Sequence, residues 1–342
     1  MKWFNQLSIA PEHNDVPAIL SSLKTNGIAL SIEELLQYQS KASLINLSAN
    51  RNQSSKMSGN YLARSKGRGM EFDEVRHYQT GDDIRTIDWR VTARTGKTHT
   101  KLFREEIERP VLIATDLSSN MHFGSKLLFK SVQAAHVAAL VAWHAKGRGD
   151  RLGGIVFNEH RHLECKPRSR KQGVLHYLHN LQEIHRLGLN TQLQENEKNL
   201  QAPALEATVA FEENCARIRQ LARPGSLVYL ITDGYGVSEE SVRHLAHVSR
   251  HCELIVCQIY DPIEHQLPAS TNMLNVVLSD GENRQTLTLG NKKSEQEYAQ
   301  SALAHQKMQQ HLFTKAGARL LTISAAETLE NQLSHGDRQW TR

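Results

Sequence analysis

Two stretches of the chain place a carboxylate and small oxygen-bearing side chains directly after an apolar run. Asp116-Leu117-Ser118-Ser119-Asn120 follows Val111-Leu112-Ile113-Ala114-Thr115, and Thr232-Asp233-Gly234 follows Leu227-Val228-Tyr229-Leu230-Ile231. Carboxylate, hydroxyl and amide oxygens suit a hard cation such as Mg²⁺, which keeps several waters and needs few protein ligands. The same residue types also make turns and cap helices after strands, so their spacing alone leaves both uses open. A second group is His160, His162, Cys165, His176, His179 and His185. Its spacing matches no standard zinc ligand set, and solvated histidines are the expected reading. A third group, Arg161, Lys166, Arg168, Arg170 and Lys171, is a concentrated basic patch. Such a patch suits RNA or an acidic protein face. Without interleaved aromatics, nucleic acid is not the expected partner. The sequence contains no P-loop, nucleophile elbow or HExxH, so no catalytic residue is assigned. The enzymatic alternative is a Mg²⁺-dependent hydrolase in which Asp116 and Asp233 hold the ion and a nucleophilic water.

The elements that must position these residues alternate between strand and helix from Pro110 onward. Strands are predicted at Val111–Thr115, Arg151–Phe157, Leu227–Thr232, Glu253–Tyr260 and Arg319–Ile323. The helices between them are predicted at Ser125–Lys146, Gln172–Arg186, Leu205–Ala222, Ser238–Arg250 and Glu295–Ala316, with a short one at the end. Residues 187–202 read as a polar insertion, and Met273–Leu289 as a hairpin. This alternation predicts an α/β fold, a doubly wound, mostly parallel sheet with helices on both faces. In such sheets ligands sit beyond the carboxyl ends of the strands, where Asp116 and Asp233 fall.

Ahead of the sheet, Ser31 and Glu34 have capping-box spacing and predict a helix running to about Lys41. Residues 48–59 are polar, rich in Ser and Asn, and read as a linker. Residues 64–109 hold eleven Lys or Arg against nine Asp or Glu, a mixture that pairs with itself rather than forming a one-sign tether. A strand is expected around Met70–Tyr78, a turn at Gly81-Asp82-Asp83, a short helical stretch around Trp89, and an extended return over Lys97–Glu108. Asp82, Asp83, Arg85, Asp88, Arg90 and Arg94 are expected to form a paired network, with Phe72 and Trp89 as apolar anchors, because unpaired buried charges are costly. The sequence thus divides into 1–60, 61–109, a main domain at 110–333 and a tail at 334–342.

Length and composition are consistent with this division. At 342 residues the chain holds about two domains, and a 39% hydrophobic, 23% charged composition is that of a globular protein. The net charge of +5 is too small for a nucleic-acid-coating protein. No window approaches the ~18 apolar residues of a membrane span, and the first residues do not read as a secretory signal. The cysteines Cys165, Cys215, Cys252 and Cys257 form no CxxC pair, so a disulfide framework is not expected and a cytoplasmic location is.

The Asp116 stretch resembles the DxSxS metal-ion-dependent adhesion motif of von Willebrand factor A-like domains. The block before it resembles the signature of a bacterial family, domain of unknown function 58 (DUF58). The residues carrying that likeness are Gly67-Arg68-Gly69-Met70-Glu71-Phe72, Val75-Arg76-His77-Tyr78, Gly81-Asp82-Asp83-Ile84-Arg85 and Ile87-Asp88-Trp89-Arg90, continued by Thr92-Ala93-Arg94 and Lys101-Leu102-Phe103. Phe123-Gly124, Gly149-Asp150-Arg151 and Pro224-Gly225-Ser226 extend it into the second domain. The resemblance implies an A-like α/β domain without established enzymatic activity. It also implies a MoxR-type AAA+ ATPase as partner, and hence a role as adaptor or co-chaperone acting on an unnamed protein client. The adhesion motif carries over onto Asp116, Ser118 and Asn120, with Asp233 as the later acidic residue and Mg²⁺ as the implied ion. Asn120 stands where the motif has its second serine. The motif's middle-loop threonine has only Thr191 and Thr208 as candidates. The signature residues Arg68, Glu71, Arg76, Tyr78, Asp82, Asp83, Arg85, Asp88, Trp89 and Arg94 are expected to be structural or to form a docking surface.

Overall fold

The strand order of the main sheet follows from where the chain buries its longest apolar runs. In the computed structural model, which describes residues 16–44, 70–105, 109–169, 171–198, 204–268, 274–279 and 284–335, these runs lie side by side. They are β3 (Pro110–Asp116), β4 (Arg151–Phe157), β6 (Leu227–Thr232) and β7 (Glu253–Tyr260). With β5 (His162–Arg168) and β10 (Arg319–Ser324) they form a six-stranded sheet of order β10-β7-β6-β3-β4-β5. All neighbours are parallel except β4 and β5, which are antiparallel. β6 is buried along its whole length, the condition of a strand covered on both faces.

Helices cover both faces. On one side lie α5 (Lys130–Gly147), α6 (Lys171–Lys198) and α11 (Leu329–His335); on the other lie α7 (Ala204–Leu221), α8 (Glu239–Ser249) and α10 (Lys292–Lys315). The sheet accordingly separates two apolar clusters, and Cys257 falls in one while Cys252 falls in the other. All four cysteines are buried and unpaired. α5 is buried over every residue from Lys130 to Trp143, unlike a surface helix with one apolar stripe. Its outer side is covered by α2 (Ile32–Leu36) and α3 (Tyr38–Lys41), and α1 (Val16–Leu23) joins the same apolar cluster. Ser31 and Glu34 form the expected capping box, and the same Glu34 accepts a 2.8 Å hydrogen bond from buried His136. Trp143 Nε1 donates to the Leu35 carbonyl at 3.2 Å. The one helix expected in a separate 1–60 segment is present as α2 and α3, and it belongs with the sheet domain, as does α1, which was not expected from the sequence.

The chain divides into two compact units, one of residues 1–49 with 109–342 and one of residues 50–108. The smaller contains β1 (Met70–His77) paired antiparallel with β2 (His99–Glu105), and α4 (Trp89–Thr95) between them. β8 (Leu274–Ser279) and β9 (Arg284–Leu289) form the expected hairpin.

Two expected elements change. The basic stretch after β4 is the strand β5, at the sheet edge. Residues 187–198, read as an insertion, continue α6 as helix. None of the helices among the described residues is long and apolar enough to cross a membrane.

Candidate functional site

β3 lies at the centre of the sheet, and the chain leaves it first toward β4 and later returns on its other side as β6. That reversal puts the carboxyl ends of β3 and β6 next to one another, the usual ligand position in such sheets. Asp116 ends β3, and Asp233 follows β6.

Asp116 is 3% exposed. Its Oδ1 accepts the Ser118 N–H at 3.0 Å and its Oδ2 the Thr232 hydroxyl at 2.8 Å. Burial, reinforced by the charge of Asp233, pushes its carboxyl up to about 7, while the Thr232 and Ser118 hydrogen bonds pull the other way. Asp116, Ser118 and Asn120 line an open recess together with Phe157, Asn158, Glu159, Ala207, Ala210, Phe211 and Gly236; it encloses about 280 Å³ including its mouth. Glu159, from the turn after β4, accepts both the Ser119 N–H at 2.6 Å and the Ser119 hydroxyl at 2.7 Å. It thereby fixes the loop that carries Ser118 and Asn120.

Asp233 does not line the recess. Its Oδ1 accepts the Tyr235 N–H at 2.9 Å, and its Oδ2 accepts the Lys130 ammonium, also at 2.9 Å. Lys130 is 1% exposed and reaches Glu264 Oε1 at 2.5 Å as well. Burial by itself would lower the Lys130 pKa, but the two carboxylates outweigh it and hold the ammonium above its ordinary value. Sequence reasoning found neither Lys130 nor Glu159.

The expected quartet is thus split, with three members at the recess and the fourth paired to an ammonium. The residues present do not fit Mg²⁺ as the adhesion motif would hold it. Thr191 and Thr208 both lie within helices, α6 and α7, and the Thr191 hydroxyl donates to its own helix at Leu187. Asn120 occupies the second serine position on an exposed turn, and an ammonium beside Asp233 repels a dication. Among the described residues no group of three or more His, Cys, Asp and Glu side chains is arranged to hold a metal. The buried Ser131 hydroxyl lies between His122 Nδ1 at 3.2 Å and His185 Nε2 at 3.1 Å. Burial lowers these imidazoles to about 4 and about 3, the latter helped by its neighbour, so both are neutral. His176 Nδ1 lies 3.2 Å from the Cys165 thiol, which burial raises to about 12.

The remaining expected residues are dispersed. In the small unit Arg76 pairs with Asp82 at 2.7 Å, and Lys101 with Asp88 at 3.7 Å. The Tyr78 hydroxyl donates to the Asp82 carbonyl at 3.2 Å. Asp83 caps the turn at Arg85, and Asp88 caps α4 through the N–H groups of Arg90 and Val91. Arg85, Arg90 and Arg94 are exposed and make no ion pair among the described residues. Asp82, Asp83 and Asp88 all accept backbone N–H groups here, and among the described residues the expected mutual network is reduced to isolated pairs. Trp89 is 66% exposed and is not the anchor expected of it. Arg68, Arg170 and the side chains of Glu71 and Phe72 lie outside the described residues. In the basic patch, Lys166 and Arg168 are exposed on the edge strand β5, Lys171 is exposed at the start of α6, and Arg161 pairs with Glu183 at 3.1 Å.

A family model described as "Protein of unknown function DUF58" matches residues 74–308. Uncharacterised proteins of Mycobacterium bovis (Mb1516) and Mycobacterium tuberculosis (Rv1480) are 26% identical over 269 residues, covering 78% of this chain and 78% of theirs. Among solved structures, a conserved hypothetical protein BatB from Bacteroides thetaiotaomicron aligns with a TM-score of 0.40 at 16% identity, covering 68% of this chain and 98% of that one. An aerotolerance-related membrane protein from Bacteroides fragilis aligns at 0.34 and 15%, covering 61% and 98%.

Proposed function

Since the chain belongs to the DUF58 family of proteins of unknown function, we propose that it is a non-enzymatic interaction module, an adaptor or co-chaperone of a MoxR-type AAA+ ATPase. It binds its partner at the carboxyl edge of the sheet. The observation that carries this reading is the composition of that edge. The recess of Asp116, Ser118, Asn120 and Glu159 has exposed Tyr235 beside Gly236, exposed Val209 between Ala207 and Ala210, and exposed Phe123 on the loop that follows Asn120. Aromatic and aliphatic anchors around a few polar groups are the make-up of a protein-binding surface. The carboxylates at the edge are held by backbone N–H groups, hydroxyls and an ammonium, which makes them receptors for hydrogen-bond donors.

The test is direct binding of the purified chain to the MoxR-type ATPase of the same genome, measured by calorimetry. Tyr235→Ala is expected to weaken binding at least tenfold, in the range of hot-spot aromatics. Absence of binding by the unaltered chain would remove the adaptor reading. Turnover of a phosphoester with Mg²⁺, lost in Asp116→Asn, would replace it with the hydrolase.

A further inference from the structure

The carboxyl edge is made of loops from three strands, and a single side chain joins them. Lys130 opens α5, immediately after the loop that leaves β3, and its own N–H donates to the Phe123 carbonyl at 2.8 Å. Its ammonium reaches Asp233 behind β6 at 2.9 Å and Glu264 behind β7 at 2.5 Å. Glu264 lies in α9 (Pro262–His265), where its Oε2 accepts the Asp261 N–H at 2.9 Å. Asp261 accepts in turn the N–H and hydroxyl of Ser125, back on the β3 loop. The circuit is closed: β3 loop, Lys130, β6 loop, β7 loop, and the β3 loop again. Asp261 is fully buried, Lys130 and Asp233 nearly so, and Glu264 partly so.

We infer that the Lys130 ammonium is the resident cation of this sheet edge, fixing the loops around the recess so that the site forms and binds without a divalent metal. The inference deepens the adaptor reading and rests on it for what the recess binds. Three features carry it. The ammonium is on the main chain's own scaffold, buried, and within hydrogen-bond distance of carboxylates from two other loops. Asp233, the acidic residue that would answer to a metal from β6, spends one oxygen on that ammonium and the other on the Tyr235 N–H. A dication near Asp233 would therefore face a fixed positive charge at short range in a poorly screened interior. A buried ammonium with two carboxylate partners is also irreplaceable one-sidedly, since its removal strands both carboxylates. Lys130 is a positioning residue: it acts on the recess through the loops it holds.

The experiment uses the full chain and the metal alone. Thermal unfolding of the unaltered protein is followed in chelator and in excess Mg²⁺ or Mn²⁺, with bound Mn²⁺ counted by electron paramagnetic resonance. A specifically bound ion at ~100 times its Kd would raise the midpoint by several degrees. The expected result is no change in midpoint and no stoichiometric bound Mn²⁺. Lys130→Met, which keeps the volume and removes the charge, is expected to lower the midpoint in chelator and to recover part of the loss in Mn²⁺, now bound by the stranded carboxylates. A merely structural lysine would give the first effect without the second. The inference is overturned if the unaltered chain binds Mn²⁺ stoichiometrically and loses it in Asp116→Asn, or if folded Lys130→Met ignores the metal. The arm on the unaltered chain decides the matter even if the variant does not fold. No arm involves the ATPase, so failure of ATPase binding removes the adaptor reading and leaves metal independence standing.

Discussion

Asp116→Asn separates the electrostatics of the recess from its shape. In the folded chain burial and the neighbouring Asp233 raise the Asp116 carboxyl from 3.8 to about 7. A rise of roughly three units corresponds to about 4 kcal/mol between the two protonation states. The sign follows from which state holds the proton. Below about pH 4 both folded and unfolded chains are protonated at this group, and its stabilising contribution is whole. As the pH rises toward 7 the unfolded chain releases the proton while the folded chain keeps it, so stability falls. Above 7 both are ionised and the loss is complete. Asparagine has the same shape and does not titrate. Its carbonyl accepts the Ser118 N–H, and its amide donates to the Thr232 hydroxyl, which already accepts the Gly234 N–H at 3.0 Å and has a second lone pair free. The exchange of one hydrogen bond costs about 1 kcal/mol and does not vary with pH. Urea unfolding of both proteins at closely spaced pH values gives the difference in stability, from which His122, His185 and every other shared group cancel. That difference is expected to move in favour of Asp116→Asn by about 4 kcal/mol between pH 4 and pH 8. A difference flat to within ~0.5 kcal/mol over this range would show that Asp116 is not held protonated, and the account of the recess would fail.

Three further outcomes are expected. Leu35→Ala removes a fully buried side chain from beneath α5 and should cost about 2–5 kcal/mol in chemical denaturation, showing that the N-terminal helices are part of the sheet domain. Gly154→Ala would place a Cβ 2.5 Å from Tyr177 Cε2 and 2.7 Å from the Ile113 carbonyl, and should lower stability by about 1–3 kcal/mol in the same assay. Trp89→Ala should change stability by less than ~0.5 kcal/mol, because the indole is exposed; a larger loss would make it the buried anchor after all.

The sheet was legible because its strands are apolar along their whole length, and only strands covered on both faces look so. β5 was not legible, since an edge strand with one outer face shows Glu164, Lys166 and Arg168 to solvent and reads as a charged loop. The end of α6 was lost for a similar reason, its polar composition hiding its helical period. The capping box at Ser31 and Glu34 was readable because its partners are three residues apart. What α2 packs on was not, because Glu34 and His136 meet across most of a domain. The small unit shows the limit of reading charge by composition. Near-equal numbers of acids and bases suggested mutual pairing, yet Asp83 and Asp88 are turned to backbone N–H groups, and Arg85, Arg90 and Arg94 make no ion pair among the described residues.

The candidate site shows the same limit where it matters most. Asp116 and Asp233 are written alike in the sequence, each a carboxylate following a buried strand, and the symmetry invites a shared cation. What separates them is Lys130, remote from Asp233 in sequence, at the head of a helix whose apolar run hides it among residues of ordinary type. The sequence places Lys130 inside a helix predicted from Ser125, where a lysine takes a solvated face; the helix instead opens at Lys130 and is buried from that residue on. Once buried, its ammonium needs carboxylates, and the loops behind β6 and β7 supply them. The burial of α5, to which the N-terminal helices contribute, is therefore also what commits Asp233 to an internal charge and leaves Asp116, of the two, to face the recess beside Glu159.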